Sequence, residues 1–207
     1  PRHPLTQALL REFGGGLVAP SANRFTRISP TTAAAVSAEL GDKVDMILDG
    51  GPCEVGLEST IIDLSGDAPR ILRPGMISAE AISAVLGKSV VMKRQDYPGE
   101  VRAPGMHHLH YAPVTRTELL TSTTIHDAQL PAVYLTHSGK KLNDDRVKVI
   151  NMPPSPDQYA QEIYATLRAQ DELQLQRIYI EAVPDTAEWD AIRDRLQKAC
   201  GSVVPRT

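Results

Sequence analysis

The chain has 207 residues, a formal net charge of −3 and 42% hydrophobic residues. This composition is typical of a soluble globular protein with room for two modest domains, and it provides no basic field for tight, nonspecific nucleic-acid binding. The two cysteines, Cys53 and Cys200, are far apart and lack Cys-x-x-Cys spacing, which excludes a disulfide framework and a cysteine-based zinc site. We therefore expect a reducing, cytoplasmic location, and no apolar run is long enough to predict a membrane span.

The first ninety residues alternate helical and strand patterns. Ser29 followed by Pro30 predicts the N-cap and first position of a helix that ends at Gly41. Two strands joined by a Ser-Gly-Asp turn predict a hairpin, and a hairpin within an alternating pattern implies a mixed sheet. The other predicted elements are helices over 5–13 and 78–86 and strands over 17–19, 44–49, 58–64 and 70–73.

Periodicity fades over residues 91–113, where proline and glycine accumulate. We interpret this segment as an ordered linker between a domain over 1–90 and a second domain over 114–207. Strands alternate with helices in the second domain, which predicts a small parallel, Rossmann-like sheet without a Gly-x-Gly-x-x-Gly dinucleotide site. Its predicted elements are strands over 132–136, 147–150 and 177–183, a helix over 156–169 capped by Ser155, and a helix opened by a capping box of Asp185 and Glu188.

Three polar clusters lie at the ends of predicted strands in the first domain. Because ligands bind at strand ends in α/β sheets, these clusters could converge on one pocket, with Arg73 as the fixed cation for a phosphate. The residues alone leave open a simpler interpretation: a surface loop, ordinary strand formers and a surface arginine. The clusters are Ser21 with Asn23, Glu58 with Ser59 and Thr60, and Arg73 with Pro74 and Gly75.

Two other chemistries have less support. His107, His108 and His110 invite a metal-site interpretation, since alternate residues of an extended segment share a face. Neither a cysteine nor a clear carboxylate partner lies close in sequence, so we expect exposed linker histidines and no metal ligands from the protein. No serine has the Gly-x-Ser-x-Gly context of a hydrolase nucleophile.

Six ordered motifs together resemble the two-domain form of the threonylcarbamoyl-AMP synthase, or YrdC-like, family. The resemblance implies the C-terminal part of a YrdC-like mixed-sheet catalytic domain, followed by the linker and a Rossmann-like domain. The family's lysine and arginine cluster for ATP does not occur, so the chain resembles a fragment with little activity of its own. The motifs are Ala19-Pro20-Ser21-Ala22-Asn23, Ile28-Ser29-Pro30-Thr31, Asp49-Gly50-Gly51, Gly56-Leu57-Glu58-Ser59-Thr60-Ile61-Ile62-Asp63, Leu72-Arg73-Pro74-Gly75, and Ala103-Pro104-Gly105-Met106 with His110-Tyr111-Ala112-Pro113.

The resemblance implies a nucleotidyltransferase that joins L-threonine, bicarbonate and ATP into threonylcarbamoyl-AMP and releases pyrophosphate. The product supplies the t6A modification at position 37 of tRNA. Magnesium would arrive with the triphosphate and not on protein ligands. The implied partners are the downstream threonylcarbamoyl-transfer machinery and a contact with tRNA or other RNA.

The resemblance also assigns roles residue by residue. Ser21 and Asn23 resemble contacts to the nucleotide phosphates and ribose, and Arg73 resembles a further nucleotide contact. Ser59, together with Thr60, resembles part of the threonine pocket. The resemblance thus implies a catalytic set of Ser21, Asn23, Ser59 and Arg73, with Tyr111 closing over the nucleotide from the linker.

One departure from the family concerns the loop after Asn23. Phe25-Thr26 stands where the family usually has Ser-Gly, which leaves the shape of that loop open. Two alternatives to the enzyme also stay open. One is a noncatalytic module of the same fold that binds nucleotide or RNA. The other is a carbamoyl-transfer domain of hydrogenase maturation proteins, which lack the His-Tyr-Ala-Pro linker and the appended domain.

Overall fold

The computed structural model of the chain describes residues 1–92 and 110–201. It contains a three-stranded mixed sheet in the first region and a four-stranded parallel sheet in the second, which confirms the expected α/β architecture. Most of the predicted linker, residues 93–109, lies outside the described residues. Among the helices of the described ranges, none is both long and apolar enough to cross a bilayer.

The first sheet is built on the predicted hairpin. β1 (Ile61–Asp63) pairs antiparallel with β2 (Arg70–Arg73), and β2 pairs parallel with β3 (Val91–Met92). Val91 and Met92 thus extend the sheet, although the sequence pattern placed the start of the linker there. The helices of this region are α1 (Pro4–Phe13), α2 (Ala33–Leu40) and α3 (Ala79–Leu86).

Two strands predicted in the first region, over 17–19 and 44–49, do not form. Both runs have an apolar pattern, but an isolated strand leaves its backbone groups unpaired. Several of their apolar side chains are open to solvent, with Val18 97% and Met46 77% exposed. The prediction of strands over 17–19 and 44–49 is therefore wrong.

The start of α2 also differs from the prediction. Thr32, not Ser29, is the N-cap residue, and its Oγ1 accepts a hydrogen bond of 3.1 Å from the amide of Ala35. The Ser29 hydroxyl instead donates to a carboxylate oxygen of Glu58. The Ser29 side chain, which the local sequence favoured as a helix cap, is thus used in a tertiary hydrogen bond.

The second region has the predicted Rossmann-like parallel sheet, with strand order β4-β7-β5-β6. The edge strand β4 was not predicted, because its short Thr-Glu-Leu-Leu sequence has too little alternation of apolar and polar residues to indicate a strand. The elements are β4 (Thr117–Leu120), β5 (Ala132–Thr136), β6 (Lys148–Asn151), α4 (Pro156–Asp171), β7 (Arg177–Glu181) and α5 (Asp190–Cys200).

The predicted capping box before α5 is wrong. A 3-10 turn over Ala187–Trp189 precedes the helix, and its N-cap residue, Thr186, makes no side-chain capping bond. Asp185 instead forms an ion pair with Arg193, at 3.2 Å from Oδ1 to Nη2. Asp185 therefore pairs with a side chain eight residues further along the chain, in the first turn of α5.

The hydrophobic core is continuous between the two regions. Ile28 and Leu57 of the first region belong to the same buried cluster as Tyr164 of α4. Gly56 explains how closely the regions approach, because a Cβ there would lie 2.3 Å from the carbonyl oxygen of Ala160 in α4. The segment that carries the predicted Glu58, Ser59 and Thr60 cluster therefore packs directly on the second region.

Candidate active site

The fold brings two of the three predicted polar clusters together. The Arg73 guanidinium donates from Nε to the Ser59 carbonyl at 3.0 Å and from Nη2 to the Ser59 hydroxyl at 3.5 Å. Arg73 is 8% exposed, so the surface-arginine interpretation is wrong. Gly75 holds the clusters close, since a Cβ there would lie 2.3 Å from the amide nitrogen of Thr60. Ser59, Thr60 and Arg73 therefore lie together in one cluster.

The third cluster organises its own loop. Ser21 is exposed, and its hydroxyl donates to Oδ1 of the half-buried Asn23. The amide of Asn23 donates in turn to the carbonyls of Arg24 at 3.0 Å and Arg27 at 2.8 Å. The Asn23 side chain thus sets the conformation of residues 23–27, and this leaves Ser21 at the surface of the loop.

Thr26 resolves the question left by the departure from the family pattern. Its φ of +68° lies in the left-handed region, which glycine enters without strain and a β-branched residue enters at a cost. The loop therefore keeps a glycine-like backbone without the glycine. The same residue connects the loop to the end of the linker, because its carbonyl accepts a hydrogen bond of 2.9 Å from the amide of Ala112.

Tyr111 is buried between the two regions and is 1% exposed. Its ring stacks on Tyr164, with 5.9 Å between centroids, and the guanidinium carbon of Arg195 lies 5.0 Å from its centroid. The hydroxyl makes no hydrogen bond of ordinary geometry to a described residue. Burial and the charge of Glu58 raise its pKa, although Arg195 and Arg73 are close enough to oppose that shift. The hydroxyl therefore lies among the charged groups of the site.

His110 precedes Tyr111 and is also buried, so the expectation of exposed linker histidines is wrong at this position. Its ring centroid lies 4.1 Å from that of Tyr111, and its amide donates to the carbonyl of Lys198 at 3.3 Å. His107 and His108 lie outside the described residues. Within the described ranges, no three histidine, cysteine, aspartate or glutamate residues are grouped so that they could hold a metal ion.

Glu58 connects the site to the second region. One carboxylate oxygen accepts from the Ser29 hydroxyl at 2.5 Å, and the other accepts from the Tyr164 hydroxyl at 3.1 Å and from Arg195 Nε at 2.8 Å. Burial alone would raise the pKa of Glu58, but the Arg195 charge and the hydrogen bonds from Ser29 and Arg195 lower it overall. Glu58 is therefore held as a buried carboxylate.

The sequence reasoning missed Arg195, although a usable pattern was present. Ile192, Leu196 and Ala199 are buried along one face of α5, and helical spacing places residue 195 on that same face. An arginine on an apolar helix face needs a buried acceptor, because an unpaired buried charge is costly. Its partner could not be read from the sequence, since Glu58 is 137 residues away.

The charges around the site favour an anionic ligand. Burial lowers the pKa of Lys198, the nearby Asp194 opposes that shift, and the positive charges of Arg195 and Arg73 add smaller lowering effects. Guanidinium and hydroxyl groups bind phosphate and carboxylate oxygens, and none of these groups is a poised nucleophile. The arrangement is suited to binding and orienting anions and to compensating charge.

Known proteins resemble the chain over its whole length. A family model described as "Threonylcarbamoyl-AMP synthase, C-terminal domain" matches residues 77–201, and one described as "Telomere recombination" matches residues 1–75. The threonylcarbamoyl-AMP synthase of Bacillus subtilis is 35% identical over 100% of this chain and 63% of that protein. The synthase of Schizosaccharomyces pombe is 33% identical over 98% of this chain and 56% of that protein.

A solved structure gives the same result. The crystal structure of Pyrococcus abyssi Sua5 complexed with L-threonine has a TM-score of 0.80 and 26% identity, and the match covers 97% of this chain and 62% of that one. The chain thus spans 56% to 63% of the length of these relatives.

Proposed function

Because the chain belongs to the threonylcarbamoyl-AMP synthase family, we propose that the full-length gene product forms threonylcarbamoyl-AMP and pyrophosphate from L-threonine, bicarbonate and ATP. In this proposal it is a nucleotidyltransferase that supplies the intermediate for t6A modification at position 37 of tRNA. It acts in the cytoplasm and passes its product to a threonylcarbamoyl-transfer machinery. The 207-residue chain alone is expected to have little or no activity.

The observation that carries the proposal is the contact between Ser59 and Arg73. It places a hydroxyl and a buried guanidinium side by side, with Thr60 next in sequence. This pair lies in a fold that matches a protein crystallised with L-threonine over 97% of the present chain. A guanidinium and hydroxyls are the groups expected to receive the carboxylate and hydroxyl of an amino acid or the oxygens of a phosphate.

The proposed reaction requires no protein nucleophile. The amine of threonine combines with bicarbonate to give a carbamate, with loss of water. A carbamate oxygen then attacks the α-phosphorus of ATP, the bond from that phosphorus to the bridging oxygen breaks, and pyrophosphate leaves with the electron pair. Catalysis of such a displacement depends mainly on positioning and on compensation of the phosphate charge.

Each residue of the site has a part in this scheme. Arg73 compensates negative charge on the nucleotide, and Ser59 with Thr60 receives threonine. Ser21 presents its hydroxyl to the nucleotide from the loop that Asn23 holds in shape. Tyr111 excludes water from above the product, whose mixed anhydride is readily hydrolysed. Magnesium would enter bound to the triphosphate.

Pyrophosphate release by the full-length gene product tests the proposal. We expect release only when ATP, L-threonine and bicarbonate are all present, and threonylcarbamoyl-AMP should accumulate in the same reactions. Serine and alanine are the matched control amino acids. Equal release with either of them, or with no amino acid, would contradict the proposal. Nucleotide or RNA binding without pyrophosphate release would favour the noncatalytic module of the same fold.

A further inference from the structure

We propose that Arg195, on helix α5 of the second region, is a positioning residue for the threonine pocket. The second region is called the C-terminal domain below. The proposal rests on the proposed function for the identity of the substrate. It states that Arg195 sets the distance between the two chain segments that carry Ser59 and Arg73. The C-terminal domain would then complete the pocket without contacting the substrate.

Arg195 reaches both segments with one side chain. Its Nη2 donates to the carbonyl of Glu58 at 3.3 Å and to the carbonyl of Pro74 at 3.0 Å, while its Nε donates to the Glu58 carboxylate at 2.8 Å. Glu58 directly precedes Ser59, and Pro74 directly follows Arg73. The guanidinium therefore holds the backbone next to each of the two residues that meet in the site.

The guanidinium is itself fixed. Arg195 is 1% exposed, its Nη1 lies 2.5 Å from a carboxylate oxygen of Asp194, and its carbon atom lies over the ring of Tyr111. These contacts leave little freedom for the side chain to rotate. Because the fork of donors is planar and rigid, a fixed guanidinium transmits a fixed separation to the two carbonyls that it binds.

The carbonyl contacts distinguish positioning from simple charge pairing. A lone ion pair with Glu58 would require only the carboxylate, and a lysine could supply that charge. The contact to Pro74 involves a neutral main-chain group on the other segment, and no ion pair explains it. Lysine has a compact ammonium group in place of the planar fork, so it is not expected to hold both segments at once.

The test compares Arg195→Lys with Arg193→Lys in the full-length gene product. Arg193 is a matched control on the same helix, because it contacts Asp185, Asp190, Pro184 and Thr186, which all lie in the second region. Threonine binding is measured by titration calorimetry without ATP, kcat is measured at saturating threonine, and melting temperature is recorded for each variant.

We expect Arg195→Lys to weaken threonine binding about tenfold or more, with a change in kcat of less than about threefold, while Arg193→Lys matches wild type. Wild-type affinity in Arg195→Lys would overturn the proposal, and so would equal weakening in both variants. If Arg195→Lys does not fold, Arg195→Gln replaces it. Failure of both variants to fold would overturn positioning in favour of a purely structural role.

The same measurements separate this proposal from the proposed function. A wild-type protein that binds threonine but makes no threonylcarbamoyl-AMP would contradict the function alone. In that case the affinities of the two variants still decide the role of Arg195. A wild-type protein that binds no threonine would overturn both proposals.

Discussion

Glu58 and Arg195 form a buried ion pair between the two regions of the chain, with 2.8 Å between the carboxylate Oε2 and the guanidinium Nε. The pair has an exposed side-chain fraction of 12% on Glu58 and 1% on Arg195. The Coulombic attraction of a buried ion pair offsets the cost of removing both charges from water only when hydrogen bonds satisfy their other polar atoms. Here the hydroxyls of Ser29 and Tyr164 donate such bonds to the Glu58 carboxylate. The predicted site and the contact between regions therefore depend on the same residues.

The first prediction concerns acid stability. The pKa of Glu58 is lowered from its ordinary value of 4.5, so the folded state favours the ionised carboxylate. Its contribution to the free energy of unfolding is therefore fully present above about pH 4.5 and is lost as the pH falls through the lower folded pKa. Glu58→Gln should be less stable than wild type at pH 7, and urea unfolding should show the difference shrinking toward pH 3. A constant difference across that range would contradict this assignment.

Helix α1 and the second sheet show what could be predicted of the fold. Strong periodicity and a glycine stop predict the first helix, and buried strand runs alternating with a long helix predict the parallel sheet. The strands expected over 17–19 and 44–49 failed because a strand needs a neighbour, which local pattern does not reveal. Ser29 failed as a cap for a related reason, since a distant carboxylate competes for its hydroxyl.

The candidate site was predictable only in part. The order of the motifs predicted Ser59, Thr60 and Arg73 as site residues, and in the structure these three residues lie close together. The role of Arg195 was not predicted, because its partner Glu58 is distant in sequence. Its position on an apolar helix face was the only sequence signal for it. Contacts between regions depend on tertiary packing, and the pattern of one segment contains no information about the surface of another.

Gly56 provides a test of the packing between regions. A Cβ at this position would lie 2.3 Å from the Ala160 carbonyl oxygen, and a backbone atom cannot move aside as a flexible side chain would. Gly56→Ala should lower the free energy of unfolding by about 1–3 kcal/mol, as overpacking does. Gly16→Ala is the control, because no atom lies within 4 Å of its added Cβ. Equal melting temperatures for the two variants would show that the regions are not packed this closely.

Thr26 should be an easy position to stabilise. Its φ of +68° costs any residue with a Cβ roughly 1–2 kcal/mol of stability. Glycine avoids this cost, but its greater entropy in the unfolded chain offsets about 0.5–1 kcal/mol of the gain. Thr26→Gly should therefore raise the free energy of unfolding by about 0.5–1 kcal/mol in urea denaturation. Thr26→Ala keeps the Cβ and serves as the control, with little gain expected. Loss of stability in the glycine variant would mean that the loop does not adopt this conformation.

Asn23→Ala should weaken ATP binding by the full-length gene product. The substitution removes the amide that holds the carbonyls of Arg24 and Arg27 and the acceptor for Ser21, so the loop loses its shape. We expect a loss of about 1.5–3 kcal/mol, or roughly tenfold or more in Kd, measured by titration calorimetry. Asn143→Ala is the control, because the Asn143 side chain makes two hydrogen bonds to the backbone of Ile125 in the second region. Unchanged ATP affinity would remove Asn23 from the proposed nucleotide site.

The last prediction separates the two roles of Tyr111, closing over the site and packing between the regions. Its ring stacks on Tyr164 and lies under the guanidinium of Arg195, and Phe keeps both ring contacts. The hydroxyl makes no hydrogen bond of ordinary geometry within the described residues, so its removal should leave the melting temperature of Tyr111→Phe close to that of wild type.

The hydroxyl nevertheless lies where Glu58 and Arg73 both affect its pKa, beside the groups proposed to bind substrate. If it donates to a phosphate or carboxylate oxygen of the bound intermediate, its loss should lower the yield of threonylcarbamoyl-AMP by about tenfold, as expected for a hydrogen bond to a charged group. Tyr111→Ala is the contrasting variant, since it removes the ring and should cost about 3–5 kcal/mol of stability, as truncation of a buried aromatic does. Wild-type yield and turnover in Tyr111→Phe would show that Tyr111 acts only in packing, because the hydroxyl would have been removed without any effect on the chemistry.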